Sequence, residues 1–177
     1  MLNKPNIAKI KEAVLFLLNN ASDDLDQYKI AKAIFWADVN HLNKFGRPVT
    51  YDNYVAMKFG PVPSKTYEFL SRNPEQLEVA IRERAGNIFI YMPLRPHNEL
   101  ELSGSDEFEL SEALGEVQSS PFHKTMNSTH KHVAWQTARN NRTNDAPQMD
   151  YALLFQTPDH DRADFIAKFS TQDGCTT

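Results

Sequence analysis

Proline and glycine limit where helices can run in the first half of the chain. Proline cannot donate the backbone hydrogen bond of a helix interior, so Pro48, Pro61 and Pro63 exclude one continuous helix here. The stretch GRPVTYDNYVAMKFGPVPSKTYEFL, residues 46–70, therefore predicts two turns around a short strand, YVAM, and then a helix that begins at Pro63. Pro74 ends that helix near Arg72, because the residue before a proline disfavours helical geometry. We interpret the stretch mainly as a rigid structural bracket.

Two helices are predicted before this bracket from apolar residues at helical spacing. The first covers Asn6 to Asn19. The second begins behind an Asp26 cap, runs to about Lys44 and is closed by Gly46. It is apolar on almost every side, which predicts a central position in the fold.

The patterns after the bracket predict more helices and one hairpin. Helices are expected at 75–84, 105–118, within 121–139 and at 159–169, and a hairpin between NIFIYM and ELELS. The segment MDYALLF fits a strand or a helix equally well. The predicted class is mainly α (α+β), a single compact helical domain with a small antiparallel β-sheet or hairpin. We place that domain at 1–155, with a C-terminal helix and mobile tail at 156–177.

Composition argues against several classes of protein. A net charge of −4 argues against general nucleic-acid binding, which needs many Lys and Arg side chains. The longest strongly apolar run, Ala13 to Leu18, is much shorter than the ~20 residues of a membrane span, so a cytoplasmic protein is expected. The single cysteine, Cys175, cannot form a disulfide framework or a cysteine zinc site. Glycine-rich phosphate motifs and a Gly-x-Ser-x-Gly elbow are missing from the sequence, so we expect no cofactor and no catalytic nucleophile.

Charged residues are segregated along the second half of the chain. No Lys or Arg lies between Pro96 and His123, and no Asp or Glu lies from Val117 to Asn144. The basic residues of the latter block are Lys124, Lys131, Arg139 and Arg142. Two interpretations stay open. The acidic and basic blocks either lie against each other or form solvated faces of the protein, or they are patches that steer a charged partner towards it. RNA is one possible partner of the basic block.

Asp38 and His41 are the strongest candidates for a metal site. They are three residues apart on one helix, a spacing that can chelate a metal. Together with His130 they define an alternative function, a metal-assisted hydrolase. The helical wheel instead favours His41 as a buried histidine that bonds to another segment, and Asp38 as a buried carboxylate that accepts from backbone N–H groups at 46–52.

Trp36 lies in the only polar sector of its helix, among Lys29, Lys32, Asn40 and Asn43. A tryptophan in such a sector is either covered by another part of the chain or exposed as an anchor for a partner. Both interpretations stay open at this point. The candidate partner-binding residues are Trp36, Lys32, Lys58, Pro61, Lys124, Lys131 and Arg139.

The stretch from Lys29 to Leu70 resembles the SocA-like antitoxin family, also called Panacea, of bacterial and phage toxin-antitoxin operons. The matching pieces are FWAD, HL, GRPVT, YVAM and GPVP, at residues 35–38, 41–42, 46–50, 54–57 and 60–63. A second signature, a Thr-His pair followed by Ala-Trp, is matched by Thr129, His130, Ala134 and Trp135. The resemblance covers about Lys11 to Phe155.

This resemblance implies an antitoxin, a non-enzymatic protein that binds and neutralises a toxin encoded beside it. One branch of the family delivers its toxin to a protease, so direct neutralisation and proteolytic delivery both stay open. The resemblance implies no catalytic residue, cofactor, metal or membrane. The motif residues expected to be structural are Asp38, His41, Gly46, Pro48, Gly60, Pro63, His130 and Trp135.

Overall fold

The computed structural model of the protein describes residues 2–84 and 88–170. Within them are seven α-helices: α1 (Ile7–Asn20), α2 (Gln27–Phe45), α3 (Ser64–Arg72), α4 (Gly104–Ser119), α5 (Phe122–His130), α6 (Val133–Asn140) and α7 (His160–Ser170). Short 3-10 helices cover Pro74–Leu77 and Tyr151–Leu154. The predicted mobile tail, which contains Cys175, lies outside the described residues.

Five short strands form two antiparallel sheets. They are β1 (Leu25–Asp26), β2 (Tyr54–Met57), β3 (Gly60–Pro63), β4 (Val79–Arg84) and β5 (Ile88–Pro93). In the larger sheet β5 lies between β1 and β4, whereas β2 and β3 form a separate hairpin in which Met57 is opposite Gly60. The predicted fold class, mainly α with small antiparallel sheets, is confirmed.

Helix α2 is central, as predicted, because it contributes to both clusters of the hydrophobic core. One cluster contains its residues Ile30 and Ile34, together with apolar side chains of α1, α4 and β5. The other contains its residue Phe35, together with side chains of β2, α6 and α7. The bracket and the C-terminal elements are therefore held on the same helix.

The predicted starts of α1 and α2 and the predicted end of α2 are confirmed by their caps. Asn6 and Asp26 each accept a hydrogen bond from the backbone N–H three residues ahead. Gly46 ends α2 in the left-handed region at φ 81°, where residues with a Cβ atom are rare. A Cβ at Gly46 would also lie 2.8 Å from Nη2 of Arg162 on α7.

The predictions for residues 75–84 and for the hairpin are wrong. Only a 3-10 turn forms, because Glu78 adopts φ 55° and directs the chain into β4, which pairs with β5. The segment ELELS forms no strand; it forms turns that lead into α4. That helix begins at Gly104 and is capped by Ser103, which exchanges hydrogen bonds with Asp106 in a capping box.

The last helix packs on the core rather than standing apart from it. Ala163 and Ile166 of α7 belong to the second core cluster. The domain boundary at residue 155 stays a prediction. Across the described ranges, no helix combines the length and the apolar character that a membrane crossing requires.

Candidate functional site

Asp38 is fully occupied by the bracket that follows α2. Its carboxylate accepts hydrogen bonds from the N–H groups of Val49 and Thr50 at 2.9 and 2.8 Å, and from the hydroxyl groups of Thr50 and Tyr54. Burial raises the pKa of Asp38 to about 6, although the bonds from Thr50 and Tyr54 oppose that shift. With four donors directed at it, this carboxylate fixes the bracket to α2.

Asp52 fixes the start of α3 at the other end of the bracket, as Asp38 fixes the bracket to α2. Its carboxylate accepts from the N–H groups of Lys65 and Thr66 and from the Thr66 hydroxyl group, at 2.8 to 2.9 Å. The two N–H groups belong to the first turn of α3, whose own N-cap residue, Pro63, provides no side-chain cap. A buried carboxylate from outside the helix therefore replaces the local cap and fixes the direction of α3.

His41 joins α2 to the start of α4. Its Nδ1 lies 2.7 Å from the carbonyl oxygen of Arg47, and its Nε2 lies 2.9 Å from Oγ of Ser105 and 3.2 Å from Oδ1 of Asp106. Burial lowers the pKa of His41. Burial acts to raise the pKa of Asp106, but hydrogen bonds from Arg47 and Lys9 hold it at about 2. The imidazole is thus buried and bonded to another segment.

The side chains of the hydrolase alternative have separate partners. Asp38 bonds to the bracket and His41 to α4, while the ring of His130 stacks on Trp135 with centroids 3.8 Å apart. No group of three or more His, Cys, Asp or Glu side chains in residues 2–84 and 88–170 could hold a metal ion. The geometry therefore gives no support to a metal-assisted hydrolase.

A surface cavity of about 260 Å³ opens between the first half of α2 and the β2–β3 hairpin. Most of its wall is apolar, and the wall includes Tyr28, Lys32, Lys58, Phe59 and Tyr67. The two lysines are the charged groups among the described residues of the wall, and no carboxylate lines it. Such a cavity can accept an apolar group that also carries a negative charge.

Lys32 lies in the wall of this cavity and is only 1% exposed. Its Nζ atom donates to the carbonyl oxygen of Pro61 at 2.8 Å and lies 4.7 Å from the ring centroid of Tyr28. Burial lowers the pKa of Lys32 to about 7. Lys32 thus belongs to the polar sector of α2 but is buried, because the hairpin covers it.

Gly60 permits this close approach of the hairpin to α2. Its φ is +113°, and a Cβ atom there would lie 2.9 Å from Cε of Lys32 and 2.7 Å from Oγ1 of Thr129. Any other residue would push the hairpin away from both helices. The requirement for glycine is therefore steric as well as conformational.

Aromatic side chains surround the mouth of the cavity. Phe59 is 49% exposed, and Tyr67 and Phe122 are exposed as well. The ring of Phe122 contacts Tyr28 and Phe59, with centroids 4.6 and 5.8 Å apart. We call this set, Tyr28, Phe59, Tyr67 and Phe122 with Lys32, the Tyr28 surface.

Two smaller cavities extend the Tyr28 surface on both sides of its central tyrosine. One, of about 70 Å³, is lined by Tyr28 and Phe122 towards α4 and α5. The other, of about 240 Å³, is lined by Tyr28 together with Ile88 and Phe89 of β5, both of which are 48% exposed. Exposed apolar side chains therefore lie on β5, the hairpin and α5 around Tyr28, although Asp26 lines both smaller cavities. A group of exposed apolar side chains of this kind marks an interaction site.

The remaining candidate residues lie in different environments. Trp36 is half-buried and packs against both core clusters, and its indole N–H is buried with no acceptor among the described residues. Lys124 and Lys131 are exposed on α5 and at its end. Arg139 instead donates to the carbonyl oxygens of Ala56 and Asp145, so it braces β2 rather than facing a partner.

The acidic block of the sequence does not lie against the basic block. In α4, Asp106 pairs with Lys9 and Arg47, and Glu109 pairs with Lys44. These cations come from α1, α2 and the bracket. The exposed lysines of α5 are therefore left facing solvent.

Of the sequence-based candidates, Lys32 and Lys58 line the 260 Å³ cavity and Pro61 accepts the hydrogen bond from Lys32, whereas the aromatic residues around them were not among the candidates. Tyr28, Lys32 and Trp36 are spaced by four residues, so they form one stripe along α2. That spacing could have indicated Tyr28. Phe59, Tyr67 and Phe122 come from three other elements, and only the tertiary fold brings them together.

Fold and site together define the class as a mainly helical α+β domain with an apolar, lysine-containing surface cavity. A family model described as the antitoxin SocA-like, Panacea domain matches residues 30–136, more than half of the chain. The chain therefore belongs to this family, as its motifs indicated. Neither the curated proteins nor the solved structures contain a significant match.

Proposed function

We propose that this protein is an antitoxin that binds a toxin protein directly, through the Tyr28 surface. Membership of the SocA-like family supports the antitoxin role in general. The observation that carries the proposed site is the apolar wall of the 260 Å³ cavity, around which aromatic rings are exposed next to two lysines. Exposed aromatic anchors beside a pocket are typical of residues that dominate protein interfaces.

The proposed mode of action is neutralisation by direct binding in the cytoplasm. A partner seated on the Tyr28 surface would contact α2, the hairpin and α5, and β5 lies beside them. Delivery of the bound toxin to a protease is compatible with the same contact. The two modes differ in whether the toxin disappears from cells that contain the antitoxin, which immunoblotting of the toxin measures.

The test begins with the reading frame next to the gene for this chain. We expect its product to stop growth when expressed alone, and co-expression of this chain to restore growth. Rescue should be accompanied by co-purification of the two proteins in a fixed ratio. A neighbour that is harmless, or toxicity that persists although this chain is soluble, would contradict the antitoxin proposal.

The proposed surface is tested with a pair of matched variants. Phe59→Ser removes an exposed ring of the Tyr28 surface, and Phe165→Ser removes a ring that is 59% exposed on α7. We expect the first to weaken binding of the toxin at least tenfold, as interface aromatics often do, and the second to leave it within about twofold. Equal effects would place the interface elsewhere.

A further inference from the structure

We infer that the ammonium group of Lys32 binds an acidic side chain that the partner protein carries within an apolar segment. The inference rests on the proposed function, because it names the chemistry of the partner at the same surface. It concerns one aspartate or glutamate of the partner, whose carboxylate would enter the 260 Å³ cavity.

The first argument is the hydrogen bonding of Lys32. An ammonium group has three N–H donors, but among the described residues its one hydrogen-bond acceptor is the carbonyl oxygen of Pro61. Contact with the Tyr28 ring compensates only part of the cost of burying the charge. Buried lysines are otherwise paired with carboxylates, so this ammonium group lacks the partner that its position requires.

The second argument is the charge around the cavity. Lys58 lies at the mouth, with its Nζ 5.4 Å from the ring centroid of Phe59. Within the described part of the chain, no carboxylate lines this cavity to neutralise Lys32 and Lys58. Asp26 lines the two smaller cavities instead, and its carboxylate already accepts from the N–H group of Lys29. A negatively charged side chain is the complement of such a wall, and the apolar surroundings strengthen the attraction.

The third argument is the spread of exposed apolar side chains around the cavity. Ile88 and Phe89 line one neighbouring cavity and Phe122 lines another, and both of these cavities meet the first at Tyr28. A chain terminus that entered the cavity would cover only one of these groups of side chains. An acidic residue within a continuous segment can cover both, which favours a side-chain carboxylate over a terminal one.

The decisive variant is Lys32→Met, with Lys168→Met as its control. Methionine keeps the length of the side chain and removes the charge. Lys168 is exposed on α7 and lines none of the three cavities around Tyr28. With the growth-inhibiting product of the neighbouring reading frame as the probe, Lys32→Met should weaken binding about 30-fold or more. Lys168→Met should change binding by about twofold at most.

Thermal stability distinguishes a binding role of Lys32 from a structural one. If the ammonium group serves the partner, Lys32→Met should melt at the same temperature as the wild type or higher, because a buried charge is removed. A lower melting temperature together with weaker binding would mean that Lys32 supports the hairpin. That result, or binding within about threefold of the wild type, overturns the inference.

The acidic side chain of the partner is identified with double-mutant cycles. Each Asp and Glu of the toxin is changed to Asn or Gln and combined with Lys32→Met. One position should lose about tenfold or more in binding with wild-type Lys32 and little with Lys32→Met, because both changes remove the same contact. If no position is coupled to Lys32, the inference is wrong although the antitoxin proposal stands. If the wild-type chain does not bind the toxin at all, both fall.

Discussion

Helix α2 contains two buried charged residues, Asp38 and Lys32, that differ in how well the protein satisfies them. Both are 1% exposed and they lie six residues apart. Asp38 accepts four hydrogen bonds from the bracket, whereas the Lys32 ammonium group has one acceptor within the described part of the chain. Burial shifts the pKa of both, to about 6 for the aspartate and to about 7 for the lysine.

This difference in hydrogen bonding makes Asp38 a structural charge and leaves Lys32 available for binding. A charge surrounded by donors stabilises the local fold and has little capacity left for another ligand. A charge buried beside an open cavity with unused donors is unfavourable for folding and favourable for recognition. Within one family motif, the first half of α2 therefore faces the proposed interface and the second half holds the bracket.

The largest expected effect on stability comes from removing the carboxylate of Asp38. Asp38→Ala leaves the N–H groups of Val49 and Thr50 and the hydroxyl group of Tyr54 without their acceptor. Because each buried unpaired donor costs about 1 to 3 kcal/mol, we expect the free energy of unfolding to fall by about 3 to 5 kcal/mol. Urea denaturation followed by circular dichroism measures it.

Asp38→Asn provides the control for this prediction. Asparagine keeps one oxygen for the backbone donors, and its amide group can donate to the two hydroxyl groups, so its loss should be about half as large. A loss below about 1 kcal/mol for Asp38→Ala would show that Asp38 is not the fixed point of the bracket.

The next effect concerns Trp36, which lies between the two charges and contacts both core clusters. Trp36→Ala should lower the free energy of unfolding by about 2 to 4 kcal/mol, slightly less than for a fully buried tryptophan, because part of the ring is exposed. Trp36→Phe should cost less, since it keeps a ring and removes an unpaired indole N–H. A stable Trp36→Ala variant that fails to bind the toxin would make Trp36 a partner contact instead.

The third prediction uses the pH dependence of stability. The pKa of Lys32 is lowered in the folded chain, so above pH 7 the unfolded chain binds a proton that the folded chain does not. The free energy of unfolding should then rise with pH by up to about 1.4 kcal/mol per unit above pH 7, and Lys32→Met should lack this rise. Below pH 7 the difference between the two proteins should be constant.

The comparison is made by urea denaturation of both proteins at pH 6, 7 and 8.5. The titratable groups that face Lys32 are Tyr28 on α2, Lys58 at the hairpin turn and His130 on α5. All three are present in both proteins, so subtracting one profile from the other removes most of their contribution. Parallel profiles would mean that Lys32 is not the group that titrates.

The smallest expected effect is that of the exposed lysines on α5. Reversing Lys124 and Lys131 to glutamate should slow association with an acidic partner severalfold at low salt, and the difference should fade as salt is added. Arg139 is left unchanged, because it braces β2. Stopped-flow mixing at two salt concentrations measures the rate, and an unchanged rate would leave these lysines as a solvated face.

The RNA-binding alternative is tested by measuring the binding of RNA to the same two proteins at the same two salt concentrations.

Much of the fold follows from local sequence. Asn6, Asp26 and Gly46 determine the ends of α1 and α2, and the prolines of the bracket exclude a helix there, because caps and breakers act over a few residues. The failures share one cause. The segment 75–84 looks helical by itself, but β4 pairs with β5, and such pairing depends on residues distant in the chain.

The candidate site shows the same division. The sequence by itself determined that α2 carries Asp38 and His41 on its apolar side, and that a family motif surrounds them. Only the tertiary structure decided that Lys32 is buried, because the hairpin that covers it is positioned by Gly60 and by contacts with α5. A helical wheel describes one helix in isolation, whereas burial is set by everything that packs against it.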